Sequence, residues 1–370
     1  MSSYPTPSDY QAALQTPDAA FADPELQQAT PRTNALGLPQ PITGAFAAVF
    51  PLTTASGVQH AAKCFVTEVP EQQVRYEAVS ETLNELDHEA LVPFAYQPRG
   101  VRVHGEAYPL LKMEWATGTT LNRFVASHLD QPAVLDRLAT AWAELMSDLE
   151  AMDLAHGDLQ HGNVLVEEEG DVLRLRLVDY DTMYVPALQG RNSLEVGHRN
   201  YQHPDRTDAD FGPSLDRFAG GVIYTALRAC AVRPELWERF DTGENLLFRD
   251  ADFYAPDESP LFEALANTEA VRSLAEALRT ACYLEPTYMP PLPVVRTEGV
   301  SVSLGEARRR RSASQDASAP RTGGARMALP VTASVIASGA ALAAAGLVGA
   351  AAALLLGAGG AGAALVAARY

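Results

Sequence analysis

His156-Gly157-Asp158-Leu159-Gln160-His161-Gly162-Asn163-Val164-Leu165-Val166, followed by Leu177-Val178-Asp179-Tyr180-Asp181, decides the fold of this 370-residue chain. Val164–Val166 and Leu177–Val178 are short apolar runs of the kind that form buried strands, and they bracket a polar loop. Asp158 and Asn163 lie five residues apart ahead of the first run, and Asp179 closes the second. These residue types suit phosphoryl transfer. Asp158 can orient and deprotonate an acceptor hydroxyl, while Asn163 and Asp179 can offer oxygens to magnesium ions that bridge nucleotide phosphates.

A scarce residue supports this reading. Of 28 Lys plus Arg only two are lysines, Lys63 and Lys112. Lys63 is the single cation in the apolar, strand-like run His60-Ala61-Ala62-Lys63-Cys64-Phe65-Val66. A compact ammonium on a flexible stem suits a reach towards phosphates, and the planar fork of Arg does not replace it freely. Upstream, Ile42-Thr43-Gly44-Ala45-Phe46-Ala47-Ala48-Val49 holds one glycine where backbone N–H groups can approach phosphates. Downstream, Tyr108-Pro-Leu-Leu-Lys-Met-Glu-Trp-Ala-Thr-Gly118 reads as a strand ending in a polar connector, and Leu135–Met152 as a strongly periodic helix leading to His156.

Together these segments resemble the protein-kinase-like fold over roughly residues 35–292, in the manner of a bacterial Ser/Thr-type protein kinase with an atypical His-Gly-Asp catalytic loop. The resemblance implies an α+β, bilobal domain with a small β-rich N-lobe and a larger helical C-lobe. It implies ATP and Mg²⁺ as cofactors, a protein substrate, Lys63 at the α and β phosphates, Asp158 as catalytic residue, and Asn163 and Asp179 at the metal. Gly44 would sit over the phosphates. Val49, Ala61 and Leu165 would sandwich the adenine, with Met113 as gatekeeper and the backbones of Glu114 and Ala116 on its edge. Gly197-His-Arg-Asn-Tyr-Gln-His-Pro204 resembles the end of an activation segment. In Leu215–Tyr224, Asp216 would accept hydrogen bonds from the catalytic-loop backbone.

The chain departs from the family pattern at several positions. Gly157 replaces the usual Arg, so activation-segment phosphorylation should not be needed in the usual way. Gln160 replaces a Lys, and His-Gly-Asp with Gly162-Asn163 is similar to small-molecule phosphotransferases of the aminoglycoside and choline kinase type. A nucleotide-binding pseudokinase scaffold is a third reading, favoured by the reduced glycine loop. Asp181 replaces a Gly and costs backbone freedom. Kinases pair their lysine with a helix Glu. The helix Val74–Leu86 has a core stripe of Tyr76, Val79, Leu83 and Leu86, with Glu77 and Glu81 off it and Val79 at the matching position, so the partner of Lys63 stays unassigned.

Composition frames the rest. Cys64, Cys230 and Cys282 are scattered without metal or redox spacing, and His88 and His156 read as structural rather than as ligands. No secretory leader is expected at the N-terminus. A net charge of −18 argues against nucleic-acid binding. Residues 293–370 hold eight Arg against three acids, +5, which leaves −23 on the remainder. The expected organisation is an N-terminal extension (1–34), the kinase-like domain (35–292), a disordered basic linker (293–326) and an apolar transmembrane segment (327–368). That last stretch has no charged residue and is long enough for one span or a hairpin. The flanking arginines place the kinase on the cytoplasmic side of a cell membrane, and the Ala/Gly-rich helix suggests self-association.

Overall fold

The computed structural model describes residues 4–44, 46–69 and 71–318. A six-stranded antiparallel sheet forms the small lobe. Its main path runs Thr30–Pro31, Ala47–Thr53, Gln59–Phe65, Glu106–Glu114, Phe94–Val103, and Ile42–Thr43 pairs alongside Ala47–Thr53. The register sets Val49 opposite Lys63, Lys63 opposite Leu111, and Ala61 opposite Met113. Strand side chains alternate between faces. The odd-numbered set Val49, Ala61, Lys63, Leu111 and Met113 therefore faces the cleft.

The even-numbered set Ala48, Phe50, Leu52, Ala62, Cys64 and Leu110 packs on the N-terminal extension through Tyr10, Leu14, Phe21 and Leu26. Three short helices, Pro7–Ala13, Pro17–Ala20 and Pro24–Gln27, build that cover, and Tyr10 donates its hydroxyl to the Phe65 carbonyl at 2.7 Å. Lys112, also on this face, is held by Asp23 at 3.0 Å and Glu25 at 2.6 Å. Each lysine thus serves one face of the sheet.

The large lobe is helical. Pro132–Ala151 buries the stripe Leu135, Leu138, Trp142, Leu145, Met146 and Leu149. It crosses Arg217–Val232, where Trp142 Nε1 donates to the Gly220 carbonyl at 3.0 Å and a Cβ on Gly220 would lie 2.8 Å from Met146 Cε. Burying each large apolar side chain of this seam contributes about 1.5–3 kcal/mol. A small sheet, Thr119–Thr120, Val164–Glu169 and Val172–Leu177, lies at the lobe's upper edge.

Three expectations change. The α+β class holds over the described residues, but the transmembrane helix of the expected fold is not among them: no described helix is long and apolar enough to cross a membrane. The 20-residue helix Pro132–Ala151, for example, carries Asp136, Arg137, Glu144, Asp148 and Glu150 beside its apolar stripe. The stretch 327–368, which prompted the expectation, lies outside the described residues. Second, part of the expected linker is ordered as the helices Leu292–Thr297 and Leu304–Ser318. The latter is tied down by Arg308 on Asp257, and by Arg311 on Asp205 (2.8 Å) and on the Cys282 carbonyl (2.6 Å). Third, Leu86 ends its helix exposed rather than in the core stripe.

Candidate active site

The hairpin Val164–Glu169 and Val172–Leu177 pairs Val164 with Leu177, which brings the loop before it against the segment after it. The buried Asp216 carboxylate organises that loop. It accepts from the His156 N–H and, at 2.9 Å, from the Gly157 N–H. Burial pushes Asp216 above the usual carboxylate range, against the pull of His156 and these two N–H groups. His156 spans the gap, with Nε2 2.9 Å from the Val178 carbonyl and Nδ1 accepting from the Asp158 N–H at 3.3 Å.

Asp158 is buried and held on both oxygens. Oδ1 accepts from the His198 N–H at 2.6 Å. Oδ2 accepts from Gln160 Nε2 at 2.9 Å and Asn163 Nδ2 at 3.0 Å. Asn163 Nδ2 also donates to the Asp158 carbonyl at 2.9 Å, so its amide oxygen is the atom left to face a cation.

Asp179 sits at φ +69°, a left-handed conformation rare outside glycine and concentrated at functional sites. Tyr180 fixes the segment. Its hydroxyl accepts from the Val92 N–H at 2.7 Å and donates to the Leu177 carbonyl at 2.6 Å, and its ring stacks on Phe94 at 6.1 Å. Lys63 Nζ then meets Asp179 Oδ1 at 2.8 Å and Asp181 Oδ1 at 2.5 Å. Burial works against the Lys63 charge, but the two carboxylates outweigh it and hold the ammonium above the ordinary lysine value. Burial alone would raise both carboxylates. At Asp179 Lys63 prevails and the group lies below the usual range, while Asp181, facing both Lys63 and Asp179, lies above it.

A cleft of about 1050 Å³ joins these groups. Gly44, Val49, Ala61, Lys63, Met113, Glu114, Ala116, Asp158, Asn163 and Asp179 all line it. Leu165 does not. Paired with Thr120 and Arg176, it points into the core and is fully buried, and Thr120 and Val178 line the cleft instead. Among the described residues no group of three or more His, Cys, Asp or Glu is placed to hold a metal. The Asn163 and Asp179 oxygens are the sparser, hard donor set that suits a magnesium ion sharing its shell with phosphates and water.

The sequence left the partner of Lys63 unassigned, and the structure gives it two, Asp179 and Asp181. Glu77 is taken by Gln73 at 2.9 Å, Glu81 is exposed, and Val79 is buried in the apolar core. The carboxylate comes from Asp181, whose Oδ1 also accepts from the Tyr76 hydroxyl at 2.8 Å. The two carboxylates share one cation because the left-handed turn at Asp179 carries the chain back past Lys63 within two residues. A scan against protein-family models finds no match, and a search of curated proteins finds none either.

Proposed function

We propose that this chain is an ATP-dependent phosphotransferase of the protein-kinase-like type that acts on Ser or Thr hydroxyls of a protein substrate. One observation carries the reading: Lys63, Asp158, Asn163 and Asp179, drawn from separate segments, line a single cleft. The apolar wall of Val49, Ala61, Leu111 and Met113 suits an adenine ring, and the volume suits a nucleotide with room for an acceptor.

In this reading Lys63 steadies the phosphates. Asp158, fixed by three donors, accepts the proton of the acceptor hydroxyl as its oxygen attacks the γ-phosphorus in line with the departing ADP oxygen. Magnesium held by Asn163 and Asp179 would supply neutralisation of phosphate charge. His198 and Arg199, from the stretch similar to the end of an activation segment, line the same cleft, which favours a protein acceptor.

A second reading has its own observation. Gln160, rather than a lysine, contacts Asp158, as a small-molecule phosphotransferase would have it. The test incubates the full chain with γ-labelled Mg²⁺–ATP, a generic protein substrate and, separately, a panel of small hydroxyl compounds, beside Asp158→Ala. Label on protein that the variant lacks supports a protein kinase. Label on a small molecule moves the assignment to the second reading. Nucleotide binding with no transfer to either would overturn both and leave a scaffold.

A further inference from the structure

We propose that Asp181 is the positioning residue for Lys63, doing from the segment after the cation site what a helix glutamate does in kinases, with Tyr76 holding it in place. The inference rests on the phosphotransferase reading and adds a residue to it.

The argument starts from a conflict. In this structure Asp179 contacts Lys63, yet Asp179 is also the carboxylate available to a divalent cation. Lys63 engages only Oδ1 of Asp179, and a dication on that carboxylate would draw its charge away from the ammonium. When Asp179 turns to the cation, the buried Lys63 ammonium needs another anion, because a desolvated charge without a partner is strongly disfavoured. The helix Gln72–Leu86 does not offer one, since Glu77 is bonded to Gln73, Glu81 and Glu85 are exposed and Val79 is apolar.

Asp181 does. Its Oδ1 takes Lys63 Nζ at 2.5 Å and the Tyr76 hydroxyl at 2.8 Å, so two donors from two elements fix one oxygen. Tyr76 is itself immobilised, its ring 5.3 Å from Phe65 and stacked 5.9 Å from Tyr96. The helix therefore contributes a neutral hydroxyl, and the charge that aims Lys63 stays on the same short segment as the metal ligand. Displacing the helix would loosen a hydrogen bond without removing the ion pair.

The test is a double-mutant cycle in the full chain, read two ways. In Mg²⁺–ATP turnover, Asp181→Asn is expected to lower kcat roughly 10- to 100-fold, the loss typical when a partner that orients a functional group is removed, with acceptor KM unchanged. In the Lys63→Met background the same substitution should cost nothing further, because a residue acting through Lys63 has nothing left to act on. Asp181→Glu should recover part of the loss. Tyr76→Phe, which keeps the ring packing, should cost less than Asp181→Asn. Unchanged turnover in Asp181→Asn, or losses that multiply in the double variant, would overturn the proposal. The second readout is urea unfolding without nucleotide. Non-additivity between Lys63→Met and Asp181→Asn supports the ion pair whatever the chain phosphorylates, and additivity overturns it. A wild-type chain that couples in unfolding but transfers nothing would sink the phosphotransferase reading while the ion pair stands.

Discussion

Gly157 lies against the Thr182 carbonyl with no room for a Cβ atom between them. The two strands of backbone meet here because Ala155 and Tyr184 form an antiparallel bridge, with the Tyr184 N–H donating to the Ala155 carbonyl at 2.7 Å. Gly157 also sits at φ +81°. Steric closeness and a left-handed backbone both demand glycine, which accounts for the missing arginine without appeal to lost activity. Gly157→Ala is expected to destabilise the fold by about 3 kcal/mol or more, from strain and overpacking together. Urea unfolding measures it. A variant within about 0.5 kcal/mol of wild type, the scatter of an indifferent surface change, would refute the close-contact argument.

The same geometry bears on regulation. The hydroxyls between Asp181 and His198 belong to Thr182, Tyr184 and Ser193, and all three residues are buried. Thr182 donates to the His156 carbonyl at 3.1 Å and Ser193 to the Glu195 carbonyl at 2.6 Å. Neither side chain is presented to a modifying enzyme. Phosphatase treatment of the active chain should leave turnover unchanged, and mass spectrometry should find residues 182–197 unmodified. A stoichiometric phosphate there that activity requires would contradict this.

Asp179→Asn separates strain from charge. Asn tolerates the left-handed backbone that Asp179 adopts, so the fold should survive. The charge proposed to face a cation is lost. Turnover should fall roughly 100-fold or more, on the scale of removing one preorganised electrostatic contact. The Mg²⁺ concentration for half-maximal rate should rise in parallel. Wild-type Mg²⁺ dependence in the variant would remove Asp179 from the metal site.

How much of this was legible in the sequence differs from residue to residue. Asp158, Asn163 and Asp179 were legible because one hairpin holds them, and local backbone geometry follows from local pattern. Lys63 stood out because lysine is so scarce in the chain. Leu165, which the resemblance put against an adenine, lies in the core because Val164–Val166 is buried on both faces and no alternation marks a cleft side. The partner of Lys63 was hidden because Asp181 lies 118 residues away and only the fold brings the two together. The helix Leu304–Ser318 read as a disordered linker because Arg308 and Arg311, which tie it down, find their acids in distant chain, 51 residues away at Asp257 and 106 at Asp205. No sequence window contains such a pair.

That distant pairing gives a further expectation. Arg311 makes two hydrogen bonds to Asp205 and one to the Cys282 carbonyl, joining the end of the activation-like segment to the C-terminal helix. The pair is partly exposed, so its value is modest. Arg311→Ala should destabilise by about 1 kcal/mol. It should also speed amide exchange in Leu304–Ser318 more than in the sheet. Uniform exchange, or none changed, would show that Arg311 does not hold the helix.

His203 gives the chain an acid-side stability slope. It is buried, with Nε2 2.9 Å from the Ala281 carbonyl and Nδ1 accepting the Asp205 N–H at 3.1 Å, so both ring nitrogens are used in the neutral form. Burial lowers its pKa below the ordinary histidine value, more than the Ala281 carbonyl and Asp205 raise it. The unfolded chain therefore takes up a proton at a pH where the folded chain does not. Stability from this residue is fully present above about pH 6.5 and is lost as pH falls from there towards the folded value, at up to about 1.4 kcal/mol per pH unit. His203→Gln keeps a hydrogen-bonding side chain of similar reach but cannot titrate. It should be less stable than wild type at pH 7.5, and the gap should narrow as pH is lowered towards 5. Urea titrations of both proteins across that range measure the difference, which cancels the carboxylates common to both. A gap that stays constant with pH would mean that His203 carries its proton equally well in the folded chain, and the assignment of its neutral, doubly bonded state would fail.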